Sequence, residues 1–273
     1  MNLGFHATIS GGLHNAPLEA AKYACQCFQI FSKNPRGWAS SELIREDIAF
    51  FKEEVQKGRF SPVVVHTSYL LNLASENAEL YEKSVKAFTE EIKRAEAVGA
   101  DYITTHIGSC GDCDKTAALT RVIKGINSAV KYSATEKIGI LFENSARIKS
   151  PGGVLADLSL LVNEFGKRFG ITLDTCHAFA AGYDLREQKG LNACLKEAGE
   201  GSIKVIHLND SKGALGSGLD RHEHLGTGEL GRKGLSKVIS HPELKHLPFI
   251  LETPPGEEGS HSKDISYARK LAN

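Results

Sequence analysis

The stretch PVVVHTSYLLNLASENAELYEKSVKAFTEEIKRAEAVGADYITTH, residues 62–106, decides the fold. It begins and ends with an apolar, β-branched run, which is typical of a buried strand. Between the two runs, apolar residues from Leu80 to Val98 recur at steps of three to five residues, mostly on one face of a helix. Gly99 supplies a helix stop. The stretch therefore predicts a strand, an amphipathic helix and a second strand in succession.

The same alternation runs along the whole chain. The predicted strands are LGFHA (3–7), CFQIF (27–31), PVVVH (62–66), DYITTH (101–106), KIGILFE (137–143), GITLD (170–174), IKVIHLND (203–210) and PFILE (248–252). Helical patterns lie between them, including SELIREDIAFFKEEVQKG (41–58), the residues after Lys115 and, more weakly, DLREQKGLNACLKEAG (184–199). Eight strands that are each followed by a helix are typical of an α/β protein with a (β/α)₈ barrel, the TIM barrel.

An open, doubly wound sheet is the alternative architecture. That fold usually has fewer strands, and no G-x-G-x-x-G loop follows the first predicted strand. No Pro-rich, Ser-rich or like-charge linker divides the chain, and 273 residues is a usual length for one α/β barrel. We therefore predict a single TIM-barrel domain over residues 1–273.

Composition narrows the function classes. Lys plus Arg and Asp plus Glu number 33 each, so the net charge indicates neither a nucleic acid nor a membrane partner, although totals can hide a local basic surface. No run approaches the ~20 apolar residues of a membrane span, and MNLGFHATIS lacks the features of a signal peptide. Six cysteines do not make a disulfide scaffold. Cys110-x-x-Cys113 has half of a zinc or redox spacing, and Cys25-x-Cys27 cannot supply the other half. We expect reduced, structural thiols and a cytoplasmic protein.

Six consecutive strands carry a His, Asp or Glu at or near the carboxyl end: His66, His106, Glu143, Asp174, His207 and Glu252. Those ends converge on one face of a parallel barrel, where active sites of this fold are built. One such residue alone could be a hydrogen-bonded histidine or a helix cap, but crowded carboxylates repel one another and resist desolvation. Few Lys or Arg residues end a strand. Mixed nitrogen and oxygen ligands without thiolate suit catalytic Zn²⁺ or Mn²⁺, so we predict a metal site at this face.

The number of ligands indicates more than one ion. A catalytic zinc ion takes about three protein ligands, and two ions joined by a bridging carboxylate can clamp the attacking and leaving oxygens of a phosphoryl displacement. The predicted loop GSGLDRHEHLGTGELG (216–231) adds Asp220, His222 and His224 at alternate positions. This loop could be a metal site, a solvated charged turn, or a phosphate contact through Arg221. With His177, it could complete a third, separate site.

Several motifs along nearly the whole chain carry a family resemblance: GGLHNA (11–16), FSKNPRGW (31–38), VVVHTSYLLNLAS (63–75), HIGS (106–109), FEN (142–144), LDTCHAFAAGYD (173–184), VIHLNDSKGALGSGLDRHEHLGTGELG (205–231) and ILETP (250–254). The sixth and seventh of these are the most specific. Together the motifs resemble the endonuclease IV family of abasic-site (AP) DNA repair endonucleases. The resemblance implies a single (β/α)₈ barrel that holds three divalent metal ions, commonly Zn²⁺ with Mn²⁺ at some sites, at the carboxyl end of the strands.

The resemblance also implies three ligand sets. They are His66, His106 and Glu143 for the first ion, Glu143, Asp174, His207 and Glu252 for the second, and His177, Asp220 and His222 for the third. Glu143 is the bridging carboxylate, and a metal-bound hydroxide is the nucleophile, so no side chain need attack the substrate. His224 matches no ligand position, and His6 orients the site without binding metal.

The activity that the resemblance implies is hydrolysis of the phosphodiester 5′ to an abasic site in duplex DNA, which leaves a 3′-hydroxyl and a 5′-deoxyribose phosphate. Trimming of blocked 3′ ends is a second implied activity, and the implied enzyme is a cytoplasmic monomer that acts on the nucleoid in a bacterial cell. By motif, Arg36, Tyr69 and Leu70 match the residues that enter the duplex at the lesion. Lys33, Asn34 and Arg36 offer donors for phosphate or groove contacts with the DNA. Without the resemblance, these positions would be a solvated turn and loop-packing residues.

Two departures from the family pattern and two rival functions accompany this interpretation. Arg147, in FENSARIKSPGG (142–153), replaces a usual glycine, and Ile107 replaces a usual proline. A divalent-metal sugar isomerase or epimerase also carries Glu, Asp and His on strand ends, but it does not need the third ligand set or the KNPRGW and SYLLNL loops. A catalytically silent DNA-damage binder would lack some ligands, and none is missing.

Overall fold

Eight parallel strands and the helices that follow them organise the molecule. The structure is a computed structural model and describes residues 1–111, 113–256 and 261–272. The parallel strands are β1 (Asn2–Phe5), β2 (Phe28–Phe31), β3 (Val63–His66), β4 (Tyr102–His106), β5 (Gly139–Glu143), β6 (Phe169–Asp174), β7 (Ile203–His207) and β10 (Pro248–Leu251). Two short strands, β8 (Asp210–Ser211) and β9 (His222–Glu223), form an antiparallel ribbon beside them. The helices are α1 (Asn15–Lys22), α2 (Arg45–Gly58), α3 (Ala78–Val98), α4 (Lys115–Ser133), α5 (Leu155–Phe165), α6 (Thr175–Ala181), α7 (Gln188–Ala198), α8 (Gly231–Ser240) and α9 (Ser262–Ala272).

The strands close into a barrel. Hydrogen-bonded neighbours follow the order β1–β10–β7–β6–β5–β4–β3–β2. Between β1 and β2, His6 pairs with Gln29 in a parallel bridge, and the Ala7 N–H donates to the Gln29 carbonyl at 2.8 Å. Gly4 permits this close approach, because a Cβ there would lie 2.0 Å from the Cys27 carbonyl oxygen. The (β/α)₈ prediction is confirmed, and the open doubly wound alternative is wrong.

Strand residues alternate between two apolar layers. A small inner cluster fills the barrel with Cys27, Val64, Leu141, Val205 and Ile250, and a larger cluster packs the outer strand faces against the helices. Side chains two positions apart on a strand share a face. A residue two positions after an interior residue therefore also faces the interior, at the carboxyl mouth of the barrel. This applies to the residues that follow Val64, Leu141, Val205 and Ile250. Those later residues are His66, Glu143, His207 and Glu252.

Element boundaries follow the local signals in most places. Asn77 caps α3 by accepting from the Leu80 N–H at 2.9 Å, and Gly99 ends the helix with a φ of 77°. The prediction of one strand over 203–210 is wrong, because β7 ends at His207 and Asp210 pairs instead with Glu223 in the ribbon. In the described part of the chain, no helix combines the length and apolarity needed to cross a membrane.

The expectation of six reduced thiols is wrong for one pair. Cys110 and Cys113 form a disulfide. The chain turns at Gly111, which has a φ of 65°, and the turn brings the two Cα atoms to 5.5 Å. Sequence spacing alone does not show that turn. The other four cysteines are free and buried, as expected: Cys25, Cys27, Cys176 and Cys194.

Candidate metal centre

The strand ends bring the predicted ligands to one place. Adjacent strands pair His106 with Glu143 and Asp174 with His207 in register. His177 arrives on the first turn of α6, directly after β6, and Asp220 and His222 arrive from the segment that ends in the ribbon. The barrel therefore collects all nine candidate ligands at its carboxyl mouth. Within each of the three sets predicted from the sequence, the candidate ligand atoms lie within 4.8 Å of one another.

Glu143 contacts the first and second groups through different oxygens, and its Oε1 also lies 3.5 Å from His177 Nδ1 of the third group. Its Oε2 lies 2.8 Å from His66 Nε2 and 3.4 Å from His106 Nε2. Its Oε1 lies 3.0 Å from His207 Nδ1, which in turn lies 3.2 Å from Glu252 Oε2. This fully enclosed carboxylate is placed as a bridge between the first and second groups.

Asp174 has a comparable position between the second and third groups. Its Oδ2 lies 4.0 Å from His207 Nδ1 and 3.5 Å from His222 Nε2. The third group itself brings His177 Nε2 to 3.0 Å from Asp220 Oδ1 and to 3.4 Å from His222 Nε2. The three groups are therefore contiguous, and each shares or contacts a carboxylate of the next.

A fourth combination of possible ligands includes a thiol. Asp174, Cys176 and His222 also place ligand atoms within 4.8 Å of one another. Burial raises the pKa of the Cys176 thiol to about 12, and the protonated sulfur donates to the Arg221 carbonyl at 3.5 Å. Thiolate is the ligand form of cysteine, so this protonated sulfur is a poor candidate and the nitrogen and oxygen groups are the better ones.

Backbone carbonyls orient three of the imidazoles. His66 Nδ1 lies 2.7 Å from the Thr67 oxygen, His177 Nδ1 lies 3.1 Å from the Asn144 oxygen, and His222 Nδ1 lies 3.1 Å from the Glu252 oxygen. A carbonyl only accepts hydrogen bonds, so each Nδ1 carries a proton. In the neutral ring, Nε2 then has a free lone pair that faces the carboxylates. This is the arrangement in which histidine binds a metal.

The electrostatics of the groups call for positive charge. Burial by itself would raise the pKa of Glu143, but the nearby His106 and His207 hold it well below the usual value. Burial would conversely lower the pKa of His207, but the carboxylates of Glu252 and Glu143 hold it well above. Among the described residues, no Lys or Arg forms an ion pair with Glu143, Asp174, Asp220 or Glu252. Protons or divalent cations must therefore balance these carboxylates, and the donors, all nitrogen and oxygen, fit Zn²⁺ or Mn²⁺.

A cavity of about 620 Å³ opens onto the groups. Its walls include four candidate ligands: His106 and Asp220, whose side chains are 33% and 62% exposed, and the buried Glu143 and His177. Tyr69 stands on the rim with 62% of its surface exposed. Its ring centroid is 5.2 Å from that of Phe31. The mouth is therefore open to a substrate on the side of the first and third groups.

The candidate DNA-binding residues do not all face solvent. Asn34 and Arg36 are exposed, and Leu70 is half-buried. Lys33 is buried, and its ammonium donates to the carbonyls of Gly37 and Trp38 and pairs with Glu91 at 3.5 Å. The prediction that Lys33 offers a free donor to DNA does not fit this placement. Its charge is used to hold the loop from within.

His224 is directed away from all three groups. Its Nδ1 lies 2.8 Å from Asp264 Oδ2 on α9, and the Leu225 N–H donates to the other oxygen of Asp264. The three alternating residues of the loop, Asp220, His222 and His224, therefore have two different roles. The first two residues reach the third group, and His224 attaches the loop to the last helix.

Several supporting residues were not predicted from the sequence. Asp210 accepts from five backbone N–H groups, those of Ser211, Gly226, Gly228, Leu230 and Gly231. Asn209 donates to Asp174 Oδ2 at 2.7 Å and accepts from the Glu252 N–H at 2.8 Å. Gln29 is fully buried beside His207 and Glu252. Alternation along CFQIF places Gln29 on the same face as Cys27, which is the one signal that could have found it.

Known proteins resemble this chain along its full length. Residues 17–271 match the family described as the xylose isomerase-like TIM barrel. "Probable endonuclease 4" of Halothermothrix orenii is 45% identical over 278 residues, covering 99% of each chain. The protein of the same name from Methanoculleus marisnigri is 42% identical, covering 99% of this chain and 98% of that one.

Solved structures agree with the sequence relatives. The crystal structure of endonuclease IV from Thermus thermophilus superposes with a TM-score of 0.90 at 35% identity, covering 99% of this chain and 98% of that one. A D-psicose 3-epimerase superposes with a TM-score of 0.68 at 16% identity, covering 97% of this chain and 89% of that one. The second likeness shows a shared fold alone.

Proposed function

This chain belongs to the endonuclease IV family, and we propose that it hydrolyses the phosphodiester 5′ to an abasic site in duplex DNA. The products would be a 3′-hydroxyl end and a 5′-deoxyribose phosphate. The observation that carries the proposal is the set of three contiguous ligand groups at the barrel mouth, joined through Glu143 and Asp174. We extend the proposal to removal of blocking groups from 3′ ends, because such ends present the same phosphate chemistry.

The residues that would hold three divalent ions follow from the three groups. We propose Zn²⁺, with Mn²⁺ at some sites, on His66, His106 and Glu143, on Glu143, Asp174, His207 and Glu252, and on His177, Asp220 and His222. When bound, such ions supply positive charge against the phosphate oxygens and lower the pKa of water toward neutrality.

The side chains prepare this charge environment before substrate arrives. Glu143 presents one oxygen to each of two groups and is buried, so it has no freedom to turn to solvent. The imidazoles of His66, His177 and His222 are held by backbone carbonyls, so little reorganisation is needed at the moment of reaction. His106 and Asp220 form the open side, where the phosphate would enter.

Recognition of the lesion would depend on two loops at the rim. Ser68 Oγ and the Tyr69 N–H both donate to the Pro35 carbonyl, at 2.7 and 3.2 Å, so the loop with Arg36 and the loop with Tyr69 are joined. We propose that Tyr69 and Leu70 occupy the place of the displaced nucleotide. Unstacking a nucleotide costs a few kcal/mol and is cheapest at a damaged position, which favours abasic sites.

Asn34 and Arg36 are exposed on the first of these loops and would contact phosphates or the groove. Lys33 would act indirectly, by holding that loop through Glu91. We propose that the protein acts as a monomer, in the cytoplasm, through one barrel domain that spans residues 1–273.

The test is an incision assay on duplex DNA with one tetrahydrofuran abasic analogue, run beside an undamaged duplex. Metal-replete protein is expected to nick only the damaged strand, on the 5′ side of the analogue, and a chelator is expected to stop it. A protein with a full metal content that leaves the damaged duplex intact would contradict the proposal. Conversion of ketose sugars by that same protein would favour the epimerase chemistry of the more distant structural relatives.

A further inference from the structure

Gln29 lies inside the barrel on β2, a strand that contributes none of the candidate ligands. Its side chain is fully buried and contacts two residues of the second group. The amide nitrogen Nε2 lies 2.6 Å from Glu252 Oε1, and the amide oxygen Oε1 lies 2.9 Å from His207 Nε2. The same nitrogen lies 2.9 Å from His6 Nδ1. The pairing of β1 with β2 closes the barrel. Gln29 therefore links this strand pair to two ligands of the second group.

The chemistry of these partners fixes the orientation of the amide. An ionised carboxylate only accepts hydrogen bonds, so the atom beside Glu252 Oε1 must be the NH₂ group of Gln29. The carbonyl then faces His207 Nε2, and this ring nitrogen must carry the proton. In the neutral ring, His207 Nδ1 has a free lone pair. It is directed toward Glu143 Oε1 at 3.0 Å and Glu252 Oε2 at 3.2 Å.

His207 differs in this respect from the other oriented histidines. His66, His177 and His222 donate from Nδ1 to backbone carbonyls, which no side-chain substitution can remove. His207 donates from Nε2 to a side chain that comes from a distant strand. The tautomer of His207, and with it the ring nitrogen that is offered as a ligand, therefore depends on one replaceable residue.

We propose that Gln29 is a positioning residue for the second metal ion, because it fixes the tautomer of His207 and the carboxylate of Glu252 at the same time. This inference rests on the proposed metal-binding function. Residues that orient metal ligands in this way typically change metal affinity by about 10- to 100-fold when they are replaced. Loss of Gln29 is expected to weaken the binding of the ion at the second group. The groups whose histidines are oriented by backbone carbonyls are expected to keep their ions.

Two variants and a control separate this role from a general loss of packing. Gln29→Met keeps the approximate length and removes both the donor and the acceptor. Gln29→Glu keeps an acceptor for His207 Nε2 but places a second carboxyl group beside Glu252. The control is Thr104→Val, because Thr104 Oγ1 lies 2.9 Å from Thr172 Oγ1 in the barrel interior, two positions before His106 and Asp174. It removes a buried hydrogen bond in which no candidate ligand takes part.

The first measurement is zinc retention. Zinc-loaded wild-type protein and the variants are challenged with a chromophoric chelator, and the equivalents released are followed over time. Gln29→Met is expected to release one equivalent about 10 to 100 times faster than wild type, while Thr104→Val releases zinc as wild type does. Equal retention in Gln29→Met and wild type would overturn the proposal. Wild-type protein that binds no zinc would instead contradict the proposed function.

The second measurement reports the tautomer directly. In ¹⁵N-labelled, zinc-loaded wild type, the His207 ring is expected to show a protonated Nε2 that is protected from exchange. The signal is expected to persist in Gln29→Glu and in Thr104→Val and to disappear by fast exchange in Gln29→Met. A protected Nε2 proton in Gln29→Met, or its loss in Gln29→Glu, would show that the Gln29 carbonyl does not hold this ring.

Discussion

Asp174 caps the helix that carries His177: the His177 N–H donates to Asp174 Oδ1 at 2.7 Å. The same carboxylate presents its other oxygen to His222 Nε2 at 3.5 Å. Asp174, the last residue of β6, thus caps α6 and also contacts ligands of the second and third groups. The separation between the second and third groups is therefore set by local backbone geometry at the start of α6.

Glu143→Gln is expected to remove incision while sparing the fold. The amide has the shape of the carboxylate, but it lacks the charge and turns one oxygen acceptor into a donor. We expect at least about a 100-fold loss in single-turnover incision, as is found when one preorganised electrostatic contact is removed. Glu136→Gln makes the same change at an exposed position just before β5 and should incise normally. Wild-type turnover in Glu143→Gln would refute the bridging role.

Arg36→Ala is expected to weaken DNA binding and to reduce its dependence on salt. The plot of log affinity against log salt has a negative slope, and loss of one phosphate contact reduces the magnitude of that slope by about 0.9 for duplex DNA. The difference from wild type should therefore be largest at low salt, in a fluorescence anisotropy titration over a range of salt concentrations. Lys137→Ala, at an exposed position before β5 at the opposite end of the barrel, serves as the control. An unchanged slope for Arg36→Ala would place that side chain outside the interface.

Removal of metal is expected to lower thermal stability. Without cations, the buried carboxylates of Glu143 and Asp174 and the partly buried carboxylate of Glu252 are balanced by imidazole protons alone. A ligand present at about 100 times its Kd stabilises a protein by about 2.7 kcal/mol, so calorimetry should show a lower Tm after chelation and recovery after zinc is restored. Identical melting curves with and without chelator would mean that the groups bind no ion tightly.

Asp210→Asn is expected to release the third ion before the others. The substitution directs an NH₂ group toward backbone donors that the carboxylate now accepts from, and each buried donor left unpaired costs about 1–3 kcal/mol. The segment between Gly226 and Gly231 would loosen, and β9, which carries His222, would lose its ordered neighbour. Metal analysis should show one fewer equivalent, together with a lower denaturation midpoint. A full metal content would separate Asp210 from the third group.

The sequence predicts the eight strands and the residues at their carboxyl ends because both depend on local patterns. Alternation along VVVH and ILFE places His66 and Glu143 on the interior face, and parallel pairing then brings them together. The partnership of Gln29 with His207 joins residues 178 positions apart. No local pattern specifies such a contact, because it depends on how the barrel closes between β1 and β2.

Local sequence patterns also do not predict that the side chain of Lys33 is buried. The sequence FSKNPRGW does not distinguish Lys33 from the neighbouring Arg36 as an exposed cation. In the structure, Lys33 forms an ion pair with Glu91 of α3. Cys110 and Cys113 provide a second example, since their spacing fits several kinds of site and only the turn at Gly111 selects the disulfide. In both cases the deciding partner or turn is a feature of three-dimensional structure.

The order of the ligands along the chain has a consequence for biosynthesis. As the chain emerges from the ribosome, the first group has all its members once Glu143 has been made, the third waits for His222, and the second waits for Glu252. The strand that delivers Glu252 is β10, which pairs along its length with β1, from Asn2 opposite Pro248 to Phe5 opposite Leu251. Glu252 can therefore complete the second group only after β10, the last strand of the barrel to be made, has taken its place between β7 and β1.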